Sequence, residues 1–420
     1  MELLPMWKPK ERLFILIMIT AGILLRLVWA GDMEWKDDEK IMFNMAHQTA
    51  VKGEFPATGM MSGGGLVNPG MSVAVFAVMA VFTNTPLGMG RCVQIMNVVA
   101  ILLLFLFIIR KIPGKEKMTW LYATALASVS PMAVLFSRKI WAQDTLPLFM
   151  VLLIICIASR TKPLAAFFYG VLAMIVGQIH MSGFFLAAGM MSFSLLHDLY
   201  HHRKVQWLYW IIGIGVGFLP LIPWLLYISE HQQNSYLTID HVLQWRFYIY
   251  TFLEAHGLNL VYSFKNAINR FYSFPDFFGY SFYFVGILYF LLAAASVNTL
   301  WLIMKYGIDW IKKFKRSGLI DWIFNSGIAR FYLNGVFIGM GLLMTFSGTE
   351  IFPHYLICIF PFSYLWLCSL YKERSSQLKL IIIAQFCLTV SFLVYVHQHH
   401  GIAGGDYGTT YHQQQINNSQ

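Results

Sequence analysis

The sequence predicts an all-α fold, a polytopic bundle of transmembrane helices, and three observations support this prediction. Hydrophobic residues make up 58% of the 420 residues and charged residues only 12%, whereas about a quarter of a typical soluble domain is charged. The mean hydropathy is +0.60. The apolar residues also occur in runs long enough to cross a hydrocarbon core of about 30 Å. The lipid bilayer is therefore the expected solvent for most of the chain.

Eleven such runs predict about 11 spans, and the first extends from about Phe14 to Trp29. The other ten lie near residues 90–110, 118–136, 144–159, 163–179, 182–197, 207–228, 281–304, 328–347, 351–371 and 377–397. The first run has no small-residue cleavage site and continues into an acidic loop. We therefore interpret it as a spanning helix and not as a signal peptide.

A shorter apolar run, Pro69–Phe82, is ambiguous because its 14 residues are few for a span. If it does not span, every later basic loop lies on the cytoplasmic side together with the N-terminus. These loops lie near residues 110–117, 160–162, 203–204, 305–316 and 372–379. With the N-terminus they hold well over half of the 30 Lys and Arg residues, as the positive-inside bias requires. The run is therefore predicted to be a juxtamembrane helix; the alternative is a twelfth span with a mixed charge pattern.

This topology gives the outer face two sizeable loops, residues 31–90 and 229–280, and a C-terminal tail, residues 398–420. Most of the 20 acidic residues fall in these segments and in two short outer turns. The net charge of +10 does not indicate nucleic acid, because the basic residues cluster between apolar runs. No stretch predicts a separate soluble domain, so residues 1–420 are expected to form a single integral membrane domain.

An acidic cluster follows the first run directly. Asp37, Asp38 and Glu39 are consecutive and precede residues with helical amphipathic spacing. A carboxylate at a helix N-terminus is favoured in its ionised form, and at a membrane surface it can hold an acceptor hydroxyl and remove its proton. Whether Asp37 or Asp38 would do so stays open. The alternative is a solvated acidic N-cap.

Two further segments contain residues suited to binding a phosphate or a sugar. In Ser137–Asp144, the cations Arg138 and Lys139 suit a lipid phosphate and Asp144 suits a sugar hydroxyl; the alternative is that the cations anchor helix ends at the interface. Gly63–Gly70 is a glycine-rich run that precedes the juxtamembrane segment. It is either a loop that closes over substrate or a plain connecting turn.

Late in the chain, Pro353-His354-Tyr355 opens a predicted span on the outer face, and the second outer loop adds Arg270. A cation or hydroxyl there can neutralise a departing phosphate, although a lone loop cation is usually only solvated. In the tail, a glycine-rich turn either brings Asp406 or Tyr407 back over the site or is disordered. The five cysteines have no metal-ligand spacing, and the histidines either lie on the opposite face or lack a partnering carboxylate at defined spacing. No cofactor is therefore indicated; the alternative is a divalent cation.

Taken in order, these motifs resemble those of polytopic glycosyltransferases of the GT-C type, near the protein O-mannosyltransferases and the bacterial lipid A aminoarabinose transferase (glycosyltransferase 39-like). The resemblance rests on four features that cover most of the chain. They are Asp38-Glu39 after the first span, the Pro69 segment, Ser137-Arg138 with Asp144, and Pro353-His354-Tyr355. It implies a GT-C-like fold and an inverting transfer of a sugar from a polyprenyl-phosphate donor to a glycan, lipid or protein acceptor on the outer face.

The resemblance also implies roles for individual residues. Asp38 would activate the acceptor with help from Glu39, and Asp144 would hold substrate. Arg138, Arg270 and Tyr355 would stabilise the leaving phosphate. The remaining candidate substrate-binding residues are Asp37, Asn68, Lys139, His354, Asp406 and Tyr407. In two places the sequence departs from the aminoarabinose transferases: Asn68 replaces a Lys and Gly70 replaces the second Pro, so one phosphate contact is expected elsewhere.

A secondary transporter or flippase is the main alternative function, and a scaffolding subunit is another. Transporters usually carry ionisable groups near the bilayer midplane, whereas the acidic residues here cluster at one predicted surface. An enzyme that uses a lipid-borne donor also needs no nucleotide-binding domain, and the sequence has none. The expected partners are the donor, the acceptor and membrane lipids, and the expected location is a bacterial inner membrane with the N-terminus in the cytoplasm and the C-terminus in the periplasm.

Overall fold

The computed structural model describes residues 9–62, 65–231, 239–260, 281–325, 327–402 and 404–419, and these residues are mostly helical. The first half contains α1 (Pro9–Leu27), α2 (Asp37–Lys52), β1 (Thr58–Met61), β2 (Val67–Pro69), α3 (Met71–Ala80), α4 (Pro86–Lys111), α5 (Gly114–Val129), α6 (Pro131–Phe136), α7 (Leu146–Ala158), α8 (Pro163–Ile179) and α9 (Ser182–Tyr200). The second half contains α10 (Trp207–Phe218), α11 (Ile222–Glu230), α12 (Arg246–Ala255), α13 (Ser281–Ser317), α14 (Leu319–Phe324), α15 (Ile328–Asn334), α16 (Gly341–Phe346), α17 (Phe362–Leu370), α18 (Ser375–His399), β3 (Gly401–Ile402), β4 (Gly408–Thr409) and α19 (Tyr411–Ser419).

Several helices of the described chain are long and apolar enough to cross a membrane, which confirms the prediction of a helical integral membrane protein. They are Pro86–Lys111, Trp207–Glu230, Phe284–Ile308, Ile328–Phe346 and Ser375–His399. Pro353–Ile359 and Phe362–Leu370 form a further span only if the pair is counted as one helix despite a bend of 82°. The described chain therefore has five such spans, or six, and the predicted number of 11 is wrong.

The count is lower because several apolar runs fold into short or interrupted helices. At about 1.5 Å per residue, the 13 residues of α7 extend about 20 Å, well short of a hydrocarbon core of about 30 Å. The run near residues 118–136 is divided between α5 and α6 at Pro131, whose nitrogen cannot donate a helical hydrogen bond. Helix α1 has sufficient length but carries charged residues near both ends, Lys10 and Arg26 among them.

Contacts between helix ends define two ends of the helical assembly. Near their N-terminal ends, α1 and α18 are joined by Lys379 Nζ and Glu11 Oε1 at 2.6 Å. At the other end, His397 Nδ1 of α18 lies 2.7 Å from Oδ2 of Asp32, five residues after α1 ends. The two helices therefore run parallel. We call the end with Asp32 and His397 the acidic end, and the end with Glu11 and Lys379 the basic end.

The chain between α1 and α4 forms a small layer at the acidic end. Helices α2 and α3 pack around a second hydrophobic cluster that includes Met42, Ala46 and Phe76, and β1 pairs with β2 as an antiparallel hairpin. The ten residues of α3 extend about 15 Å, too short to span. The segment thus has the length expected of a juxtamembrane helix.

The C-terminal segment folds back over the residues that follow α1. The hairpin of β3 and β4 leads to Tyr411, whose backbone nitrogen donates to the Met33 carbonyl at 3.0 Å. The buried Tyr407 hydroxyl donates to the Asp32 carbonyl. The tail therefore packs against residues 32–36, but neither Asp406 nor Tyr407 lines the pocket that contains Asp38.

Candidate active site

A pocket of about 260 Å³ lies at the acidic end and draws its walls from distant parts of the chain. Its lining residues are Asp38, Met42, Met60, Met61, Ser62, Asn68, Ser72, Trp141, Ala142, Gln143, His180, Phe352, His354 and Tyr355. Helix α2, the β1–β2 hairpin, the turn before α7, the α8–α9 connection and the turn after α16 thus meet at one place. Of the predicted site residues, the pocket brings together Asp38, Asn68, His354 and Tyr355.

The three consecutive carboxylates of α2 point in different directions. Asp38 is partly buried and lines the pocket, Asp37 is exposed and does not line it, and Glu39 is fully buried behind it. Successive residues of an α-helix are rotated by about 100° because one turn contains 3.6 residues. Asp37, Asp38 and Glu39 therefore face three directions, and of the three only Asp38 lines the pocket.

Buried ion pairs support the segment that carries Asp38. Lys139 Nζ lies 3.0 Å from Glu34 Oε2 and 3.7 Å from Glu39 Oε1, and all three side chains are nearly inaccessible to solvent. Lys36 Nζ lies 2.6 Å from Glu34 Oε1 and 3.3 Å from the Asp406 carboxylate. Asp406 therefore contacts the acidic segment through Lys36, and it does not line the pocket.

Burial and charge have opposite effects on the members of this cluster. Burial alone lowers the pKa of Lys139, but the charges of Glu34, Glu39 and Asp144 raise it above its ordinary value, so Lys139 stays protonated. Burial raises the pKa of Glu39 to about 7, although Lys139 acts in the opposite direction. Glu39 consequently binds a proton more tightly in the folded chain than in the unfolded chain.

The Glu39 pKa predicts a pH dependence of stability. The folded pKa lies above the ordinary value of 4.5, so the contribution of Glu39 is fully present below about pH 4.5 and is lost as pH rises through about 7. We expect the unfolding temperature of the wild type to fall relative to that of Glu39→Gln between about pH 5 and about pH 8. Thermal unfolding in detergent checks this, and curves that stay parallel over that range contradict it.

Lys139 stands behind the pocket wall and not in the pocket. Its Nζ lies 4.1 Å from the centre of the Trp141 ring, in cation–π geometry. Trp141 in turn contacts the ring of His354 at a centroid separation of 4.9 Å. The charge of Lys139 therefore reaches a ligand only through the aromatic wall.

Aromatic and imidazole rings form another part of the pocket wall. The His180 and Tyr355 rings lie 4.9 Å apart, and those of His354 and Tyr355 lie 4.8 Å apart. His180 Nδ1 also lies 2.6 Å from Ser182 Oγ. Sequence reasoning missed His180, Trp141 and Gln143 as lining residues. The sequence contains one signal for His180, which lies between two apolar runs at the predicted outer face.

Arg138 and Asp144 lie outside this pocket. The buried Arg138 guanidinium donates to the carbonyls of Leu25, Val28 and Trp29 at 2.7, 2.6 and 2.8 Å, and so caps the C-terminal end of α1. Asp144 is buried beside a separate cavity of about 30 Å³. Both of its carboxylate oxygens are shielded from solvent.

The remaining expectations concern Asn68, Arg270 and metal ions. The Asn68 side chain donates to the Met60 carbonyl at 2.9 Å, which fixes it in the pocket wall. Arg270 lies outside the described residues. Among the residues that the structure describes, no group of three or more His, Cys, Asp or Glu side chains is arranged to hold a metal ion.

Comparison with known proteins adds no assignment to this geometry. The chain matches no protein-family model, and neither a curated protein nor a solved structure gives a match. The function of the pocket therefore has to be inferred from its own residues.

Proposed function

We propose that this protein is a GT-C type glycosyltransferase that moves a sugar from a polyprenyl-phosphate donor to an acceptor hydroxyl at the acidic end. One observation carries the proposal. Asp38 from the first loop and the His354-Tyr355 pair from the last third of the chain line the same pocket. A carboxylate and hydrogen-bonding side chains in one pocket suit such a transfer.

In the proposed reaction Asp38 acts as a general base. It accepts the proton of the acceptor hydroxyl as the hydroxyl oxygen attacks the anomeric carbon of the sugar. The bond from that carbon to the phosphate oxygen breaks, and polyprenyl phosphate leaves with the bonding electron pair. A single displacement of this kind inverts the anomeric configuration, and much of the rate comes from holding the two reactants in line.

The leaving phosphate would be bound mainly by neutral hydrogen-bond donors. Among the described residues of the pocket wall none is Lys or Arg, and the neutral polar side chains of that wall include those of Gln143, Asn68 and Tyr355. Lys139 adds positive potential from behind Trp141, partly offset by Glu34. The phosphate already carries charge in the donor, so placed dipoles suffice to stabilise it as it departs.

The proposed location is a bacterial inner membrane with the acidic end facing the periplasm. Support comes from the positions of the basic residues. Lys111, Arg160 and Arg203 line one pocket with Ile328, at the end where α15 begins and α4 ends. The positive-inside bias places such residues in the cytoplasm. A donor confined to the bilayer would then reach Asp38 without crossing the aqueous phase.

The test is sugar transfer by the full-length protein in proteoliposomes. Radiolabelled polyprenyl-phosphate sugars are supplied with a membrane extract as acceptor, and the matching nucleotide sugars serve as control donors. We expect labelled product from a lipid-linked donor and none from the nucleotide sugars. Transfer from nucleotide sugars alone, or no transfer from any donor tried, contradicts the proposal.

A secondary transporter or flippase is the second candidate, and one observation favours it. Asp144 and Glu254 are buried carboxylates beside the cavity of about 30 Å³, and buried carboxylates in membrane proteins often mark proton or substrate pathways. The same proteoliposomes discriminate between the two functions. A transporter moves the labelled glycolipid across the bilayer without forming a glycosidic bond.

A further inference from the structure

A second pocket, also of about 260 Å³, lies at the basic end. Its lining residues are Phe107, Lys111, Ile112, Ala158, Arg160, His197, Arg203, Ile328, Phe331 and Tyr332. They come from α4, α7, α9 and α15 and from the turns at the ends of these helices. The pocket is separate from the one that contains Asp38.

One wall of this pocket is held rigidly by a buried ion pair. Arg160 Nε donates to Asp198 Oδ2 at 2.8 Å and Arg160 Nη2 to Asp198 Oδ1 at 2.6 Å, a bidentate arrangement. The guanidinium also lies 4.6 Å from the centre of the Phe331 ring. Asp198 thus neutralises the charge of Arg160 and fixes the position of its side chain. Arg160 therefore forms part of the pocket wall but contributes little net positive charge.

The uncompensated charge of the pocket comes from two other cations. Lys111 and Arg203 are exposed and line the pocket, and within the described chain neither forms an ion pair with a carboxylate. Among the described residues that line this pocket, none is acidic. The pocket therefore has a positive potential that an anion of about two charges or fewer would balance.

The rest of the lining is apolar. Phe107, Ile112, Ile328 and Phe331 provide hydrocarbon surface next to the two cations. Such an amphipathic lining suits an anionic group attached to an apolar carrier better than it suits a free inorganic ion. The volume lies below that of typical small-molecule pockets, about 300–1,000 Å³, so it holds a headgroup and not a whole lipid.

We propose that this pocket binds the phosphate headgroup of an anionic membrane lipid. Lys111 is the last residue of α4, one of the helices able to span the membrane, so the pocket lies where a headgroup meets the end of a span. Lys111 and Arg203 contact the phosphate, and the apolar wall accepts the first carbons of the lipid. Basic pockets between helices at this level are suited to such headgroups.

The experiment is lipid binding to the full-length protein, measured by native mass spectrometry in detergent with phosphatidylglycerol and with phosphatidylcholine. The double variant Lys111→Gln/Arg203→Gln removes the two pocket cations. The control Arg110→Gln/Lys204→Gln removes two exposed cations that are their neighbours in sequence and do not line the pocket. Inorganic phosphate is added as a competitor to distinguish a lipid headgroup from a free anion.

We expect one phosphatidylglycerol to bind per chain in preference to phosphatidylcholine. The pocket variant should bind it about 30-fold more weakly, because each basic residue near a membrane surface contributes roughly fivefold, and the control should bind within about threefold of wild type. A charge-preserving variant, Lys111→Arg/Arg203→Lys, should retain binding, which separates loss of charge from misfolding. Equal loss in pocket variant and control, no preference for phosphatidylglycerol, or displacement by equimolar phosphate overturns the proposal.

Discussion

Replacing Asp38 with asparagine is expected to lower the rate of sugar transfer by about 10²- to 10⁴-fold, the usual contribution of a general base. Asparagine has nearly the same shape as aspartate but cannot accept the acceptor proton. Since the carboxylate acts only as the proton moves, the loss should appear in kcat with donor binding within a few-fold of wild type. Single-turnover transfer and a separate donor-binding measurement distinguish the two effects.

Asp37→Asn is the matched control for this substitution. It removes the same charge from the same helical turn, yet Asp37 is exposed and does not line the pocket. We expect its transfer rate to lie within a few-fold of wild type. An equal loss in both variants would assign the effect to the charge of the α2 N-terminus, and unchanged transfer by Asp38→Asn would remove Asp38 from the mechanism.

Replacing Lys139 with methionine is expected to lower the free energy of unfolding by about 3–5 kcal/mol, the usual cost of leaving a buried charge without its partner. Methionine fills similar space. Glu34 then keeps only its ion pair with Lys36, and among the described residues no cation remains within 4.0 Å of Glu39. Glu39 should respond by binding a proton. Denaturant unfolding of the purified protein, followed by tryptophan fluorescence, measures the change.

Two further variants make this stability prediction specific. Lys379→Met breaks a Lys–Glu pair that is partly exposed, with 26% and 18% of the two side chains accessible, so its cost should stay below about 1 kcal/mol. Adding Glu39→Gln to Lys139→Met should recover part of the lost stability because glutamine is neutral without having to bind a proton. Equal costs for the two lysine variants would show that burial does not set the strength of the Lys139 pairs.

The sequence was informative about properties that depend on residues close together in the chain. Apolar runs predicted a helical membrane protein, and the short Pro69–Phe82 run became the ten-residue helix α3. The number of spans was overestimated because run length does not reveal where a helix breaks, as it does before Pro131. The pocket is lined by residues more than 300 positions apart in the sequence, such as Asp38 and Tyr355. Local patterns carry no record of such proximity.

By itself the sequence determined that this protein is helical, that it lies mainly in a lipid bilayer, and where polar segments interrupt the apolar runs. It could do so because hydropathy and charge are properties of short segments. Only the tertiary structure decided which carboxylate meets the pocket. The 100° rotation per residue of α2 turns Asp38 toward the pocket, Asp37 toward solvent and Glu39 toward Lys139. It likewise placed Arg138 on the carbonyls of α1 instead of on a ligand, since those carbonyls at a helix end need donors that the helix itself cannot supply.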